Sequence, residues 1–172
     1  NSLKKNINIS NKNSESNFTV FISGGSQGSE FVSNFGTNLI KIIDNEKIIK
    51  AKFVFQCSKH LIKKQKEKLR NIKSPIILKD FFINIDEILA NANLAICRAG
   101  AGTIVDLINF KLPSILIPLP SSKDNHQFFN AKILAKHDLA IIIDQNKDDL
   151  DKAKRYIYET YSNPKKLESM NK

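Results

Sequence analysis

Two turns built from small residues mark where this chain could hold an anion. The first is SGGSQGS at 23–29, which follows a short apolar run and leads straight into an amphipathic stretch. Glycine there permits positive φ and lets the backbone approach a ligand closely. The free N–H groups of such a turn, and of the helix it opens, suit a phosphate. It is not a Walker A loop, since no GK[ST] follows, and not a strict GxGxxG, so a tight turn with a helix cap is the competing reading. The second turn is RAGAGT at 98–103, after the apolar run LAIC and before IVDLINF. Arg98, Gly102 and Thr103 belong to it. Asp106 follows about one turn into the next helix, where a short carboxylate can accept hydrogen bonds from hydroxyls; its competing reading is stabilisation of the helix dipole. Two helix ends for a diphosphate and a carboxylate for a ribose diol describe a nucleoside-diphosphate site.

A third cluster, LPSSKDNHQFFNA at 119–131, gathers Asp124, Asn125, His126 and Gln127 at a loop–helix junction. Amide and imidazole groups suit sugar hydroxyls, which need donors and acceptors together. Asp124 reads equally well as an N-cap. No second His or carboxylate stands at ligand spacing from His126, so no metal is expected.

The elements that must position these turns are legible as periodicity. Apolar runs rich in β-branched and aromatic residues recur at 18–22, 53–57, 75–78, 94–97, 114–118 and 139–143. Amphipathic stretches separate most of them, such as Phe31, Phe35, Leu39, Ile42 and Ile43 after the first. Alternating strands and helices predict right-handed βαβ units and one doubly wound α/β domain on a mostly parallel sheet, Rossmann-like in form. Ligands of such sheets bind beyond the carboxyl ends of the strands, where all three clusters fall. The polar start, 1–16, reads as a linker, 17–161 as the domain, and 162–172 as the beginning of a further helix after a stop at Ser162-Asn163-Pro164. The chain therefore reads as cut at both ends.

With 172 residues, 41% hydrophobic and 26% charged, the chain is the size of one ordinary globular domain. Cys57 and Cys97 each sit inside an apolar run, a pattern of buried free thiols in a reducing compartment. No run approaches the ~20 apolar residues of a membrane span, and the polar start has no apolar signal region. A cytoplasmic protein, or a piece of one, is expected. The net charge of +10 owes much to lysines between 41 and 79. The aromatics of that segment, Phe53 and Phe55, belong to an apolar run and are not interleaved with these lysines to stack bases, so a solvated helix face is expected and nucleic acid is not expected as a partner.

Together the three clusters resemble the C-terminal domain of the MurG family, bacterial peptidoglycan N-acetylglucosaminyltransferases of the GT-B fold. The likeness is carried by SGGSQGS, by the block from Phe81-Phe82 through EILANANLAICRAGAGT, and by LPSILIPLP followed by KDNHQFFNA, covering about 17–145. RAGAGT with HQxxNA is specific to the family; the glycine turn alone is not. The resemblance implies transfer of GlcNAc from UDP-GlcNAc to lipid I, giving lipid II, with inversion and no required metal or other cofactor. By position it implies that Ser26 and Gln27 meet the donor's phosphate and sugar region and that Phe82 sits where the family's backbone meets uracil. Thr103 and the neighbouring turn amides would lie near the diphosphate, with Arg98 and Gly102 also counted as substrate-binding, Asp106 on the ribose, and His126 and Gln127 on GlcNAc hydroxyls. Asp106 stands where the family usually has Glu, one methylene longer, and His126 where some members have Gln. The family's N-terminal acceptor domain and its proposed catalytic base have no counterpart here, so no catalytic residue is expected in this half. The resemblance further implies an enzyme peripheral on the inner face of the bacterial plasma membrane, where lipid I lies. Two alternatives stand beside it: another GT-B enzyme using a UDP-sugar, and a binding subunit that recruits a separate catalytic chain.

Overall fold

The structure is a computed structural model that describes residues 18–25, 28–147 and 149–163. Strand β1 (Phe18–Ser23) leads to α1 (Glu30–Glu46), β2 (Ala51–Gln56), α2 (Lys59–Leu69) and β3 (Ile76–Lys79). After α3 (Ile85–Asn91) come β4 (Leu94–Cys97), α4 (Ala101–Asn109), β5 (Ser114–Leu116), a 3₁₀ turn (Lys123–Asn125), α5 (His126–Lys136), β6 (Ala140–Ile142) and α6 (Leu150–Ser162). The strands form one six-stranded sheet in the order β3-β2-β1-β4-β5-β6, and every neighbouring pair is parallel. This is the doubly wound arrangement, in which the winding reverses between the first strand and the fourth.

Side-chain alternation along the strands divides the interior in two. Val20, Ile22, Phe53, Phe55 and Ile96 point to one face and meet Phe35, Leu39 and Ile43 of α1, Leu61 of α2 and Ile157 of α6. Phe21, Val54, Ala95 and Cys97 point to the other and meet Leu89 of α3, Leu107 of α4 and Leu134 of α5. Because both faces are covered, each strand reads as an unbroken apolar run.

Polar contacts fix how the helices lie. Thr37 Oγ1 donates to Gln65 Oε1 at 2.7 Å in a buried link from α1 to α2. Glu46, at the end of α1, accepts from Lys154 Nζ at 2.8 Å and from the Tyr158 hydroxyl at 2.7 Å, both on α6. Asp149 caps α6 by accepting from Lys152 N at 2.9 Å. Lys63, Lys64, Lys66 and Lys68 of α2 are solvent-exposed, with Lys64 on Glu30 at 2.8 Å. Cys57 and Cys97 are free and buried. Among the described residues, no helix is long and apolar enough to cross a membrane. The linker expected at 1–16 and the helix expected beyond Asn163 lie outside the described residues.

Candidate functional site

Strands β1 and β4 are adjacent, with Ser23 opposite Cys97 at their carboxyl ends. The two small-residue turns therefore leave the sheet side by side, and the helices they open diverge to opposite faces. At the first, Ser29 is the N-cap of α1, in extended conformation, and its Oγ accepts from Val32 N at 3.2 Å. Two glycines make that turn possible. A Cβ on Gly24 would fall on the Ser29 amide nitrogen, while Gly28 has φ +69° and a Cβ there would fall on Ser58 Oγ. At the second turn, Gly100 caps α4 without a side chain. The amides of Ala101, Gly102 and Thr103 thus have no carbonyl of their own helix to bond.

Two adjoining cavities open over these helix ends. One, of about 420 Å³, is lined by Phe21, Phe81, Phe82, Ile83 and Cys97 and is mainly apolar. The other, of about 750 Å³, is lined by Gly24, Gly28, Arg98, Gly102, His126 and Gln127 and holds both turns together with the third cluster. Gly25, Thr103 and Asp106 line both. The arrangement offers an apolar slot for a planar base, a carboxylate at the junction, and helix ends with a polar loop beyond. A further concavity of about 700 Å³, edged by Lys52, Val54 and Lys79, touches neither helix end.

Residue by residue, the structure refines the expectations. Asp106 lies beyond the first turn of α4, which contains no acid, so the dipole reading does not apply. Gln127 Oε1 accepts from Leu119 N at 3.0 Å, which orients its amide, and His126 Nδ1 lies 2.6 Å from Lys123 O. The Phe82 ring packs against the core at the edge of the smaller cavity, with Lys79 Nζ 5.6 Å from its centroid. Ser26 and Gln27 lie outside the described residues.

One reading is corrected. Asp124 is not the N-cap of α5. It has φ 50°, Asn125 after it has φ 53°, and neither side chain caps the helix, because the 3₁₀ turn takes both residues into the left-handed region. Arg98, expected among the substrate-binding residues, lines the larger cavity but is only 8% exposed, and its guanidinium is bonded to protein acceptors. Nη1 donates to Ile117 O at 3.0 Å and Pro118 O at 3.2 Å; Nη2 donates to Ser29 Oγ and Gln145 Oε1, both at 2.7 Å. One side chain thereby joins the carboxyl ends of β1, β4 and β5 and the segment after β6.

Several contributors were not foreseen. Ser29 carried a signal, a serine just before an amphipathic run. Asn130 Nδ2 donates to Ala99 O at 3.0 Å and pins α5 to the second turn; Gln145 has no local signature at all. Burial raises the Cys97 thiol to about 12, so it faces the smaller cavity uncharged at neutral pH.

Residues 19–172 match the glycosyltransferase family 28 C-terminal domain. The chain is 38% identical over 132 residues to the UDP-N-acetylglucosamine–N-acetylmuramyl-(pentapeptide) pyrophosphoryl-undecaprenol N-acetylglucosamine transferase of Campylobacter jejuni, covering 77% of this chain and 38% of that one. It is 36% identical over 156 residues to the protein of the same description from Rickettsia bellii, covering 90% and 44%. The chain thus spans less than half the length of these relatives. The crystal structure of MurG from Acinetobacter baumannii has the same fold, with a TM-score of 0.80 over 91% of this chain and 44% of that one at 23% identity.

Proposed function

The chain belongs to the glycosyltransferase family 28 C-terminal domain family, and from that premise we propose that it binds UDP-GlcNAc as the donor half of an inverting N-acetylglucosaminyltransferase. The observation that carries the reading is the adjacency of β1 and β4, which brings two helix N-termini to one cleft with Asp106 at its centre. Uracil enters the apolar slot beside Phe82, the ribose diol meets Asp106, and the diphosphate lies across the turns with Gly102 and Thr103. GlcNAc extends toward His126 and Gln127, and the family resemblance assigns Ser26 and Gln27 to the donor's phosphate and sugar region.

In the complete enzyme the acceptor hydroxyl attacks the anomeric carbon as UDP leaves, and negative charge develops on the β-phosphate. Helix N-termini already aimed at that position stabilise the charge without reorganisation, more strongly in a cleft that excludes water. The step in this form needs no metal: UDP-GlcNAc affinity is expected to be equal with and without EDTA. Deprotonation of the acceptor belongs to the other half of the enzyme, which carries lipid I and works at the inner face of the plasma membrane to make lipid II. The relatives' names supply this acceptor.

Calorimetric titration of the chain with UDP-GlcNAc, UDP and UDP-glucose tests the reading. Asp106→Ala is expected to weaken UDP and UDP-GlcNAc alike, by roughly tenfold or more, the range of a lost hydrogen bond to a charged group. Gln127→Ala is expected to weaken UDP-GlcNAc and leave UDP unchanged. UDP-glucose binding as tightly as UDP-GlcNAc would count against the assignment of the sugar.

A further inference from the structure

The Arg98 guanidinium occupies a place where positive charge is unfavourable until an anion arrives. Its Nη2 lies 2.7 Å from the hydroxyl that caps α1, beside the positive end of that helix dipole. Its own backbone starts the turn into α4, whose positive end opens into the same cleft. All four acceptors of its hydrogen bonds are neutral: a hydroxyl, two main-chain carbonyls and a side-chain amide. Among the described residues no carboxylate is within ion-pair distance of it. Glu30, at the tip of α1, is turned to Lys64 at 2.8 Å, and Asp106 lines the cleft without pairing to the guanidinium.

A clamp of loops does not require this charge. Neutral donors can bridge carbonyls and a hydroxyl, whereas burying a cation without a counter-charge is unfavourable. Burial also lowers the guanidinium pKa, as expected of a cation lacking compensation, although Arg remains protonated throughout the physiological range. Three positive features therefore converge on one cleft floor, two dipole ends and one fixed charge. Asp106 is the carboxylate at the rim of this cleft and does not pair with the guanidinium, so a diphosphate would supply the negative charge that the buried cation lacks.

We infer that Arg98 is a positioning residue for the diphosphate, one that never touches the nucleotide but holds Ser29 in place and supplies a buried positive field beneath the phosphates. This rests on the nucleotide reading above and adds to it a division of labour. Main-chain amides make the contacts, and the guanidinium behind them sets the potential. It also accounts for an inward-facing Arg at the start of a ligand-binding turn.

Gln145→Glu separates charge from shape. The substitution leaves an acceptor oxygen where the amide oxygen now stands, 2.7 Å from Nη2, and adds a counter-charge. UDP affinity is expected to fall roughly five- to tenfold, the scale of one added charge several ångströms from a diphosphate at intermediate dielectric. Uridine affinity, measured by competition, is expected to be unchanged, and the melting temperature equal or higher. Arg98→Lys keeps the charge and loses the planar fork, so both ligands should weaken while the UDP-to-uridine ratio persists. In Arg98→Gln that ratio should collapse. If Arg98→Gln does not fold, Gln145→Glu still decides. Gln145→Glu binding UDP like the parent chain, or losing UDP and uridine in parallel, overturns the inference and leaves the nucleotide site standing. A folded parent chain that binds neither ligand overturns the nucleotide reading, and this inference with it.

Discussion

Gly28 illustrates how much of the site depends on single residues. Its φ of +69° and the position of Ser58 Oγ together exclude a Cβ. Gly28→Ala is expected to cost about 1–3 kcal/mol, the range for a residue forced into an unfavourable backbone region, and to lower UDP affinity because α1's tip must shift. Thermal melts with and without UDP read the two effects. Cys97 offers a second test at this scale. With its thiol raised to about 12 by burial, it should resist iodoacetamide at pH 8 in the folded chain and react once the chain is unfolded. Glycines, and a serine ahead of an amphipathic run, reveal themselves in sequence because their effect is on their own backbone. Arg98 could be located from its motif but not understood, since its partners stand 19 to 69 residues away and define its role only in three dimensions. Asp124 misled for a related reason. A short acidic residue before a helix usually caps it, but here two successive left-handed residues redirect the chain.

Elements were the most legible level. Each of the six apolar runs overlaps a strand, and in the central strands burial on both faces removes the polar alternation that would otherwise interrupt it. The ends were less legible. Strand β2 starts at Ala51 rather than Phe53 because Ala51 and Lys52 pair in register with Phe18 and Thr19, and pairing is set by the neighbour. Loops between elements rely on contacts that periodicity does not encode. Asp44 at the end of α1 accepts from Ser74 N at 2.8 Å, from Ser74 Oγ at 2.7 Å and from Lys73 N at 3.2 Å, and so holds the entry to β3. Burial alone would raise its pKa, but the Ser74 hydroxyl and the amides of Ser74 and Lys73 outweigh that and hold it below the usual value. Such a carboxylate contributes stability above the unfolded pKa, about 4, and loses it as pH falls through the lower folded value. Asp44→Ala is therefore expected to destabilise by about 1–2 kcal/mol at pH 7. The deficit should shrink in acid, which denaturant melts at pH 7 and pH 3 can measure.

At the scale of the whole molecule, the described residues form one six-stranded sheet with helices on both faces, and the chain spans less than half of its relatives. On the proposed reading, donor recognition belongs to this half and acceptor chemistry to the other. The chain alone is expected to bind UDP-GlcNAc without transferring the sugar to a lipid I analogue, a result that radiolabelled donor and product chromatography would register. Turnover by the chain alone would assign the acceptor chemistry to this half. The strand order has a temporal consequence as well. Strands β1, β2 and β3 can assemble from nearby sequence, but the pairing of β1 with β4 joins Val20 to Leu94 and must close a long intervening loop. Until that closure the glycine turn lacks its counterpart across the cleft. On the proposed reading, nucleotide capture is expected late on the folding route. A fluorescent UDP analogue added during refolding should light up with the slowest phase, after most helical signal has returned.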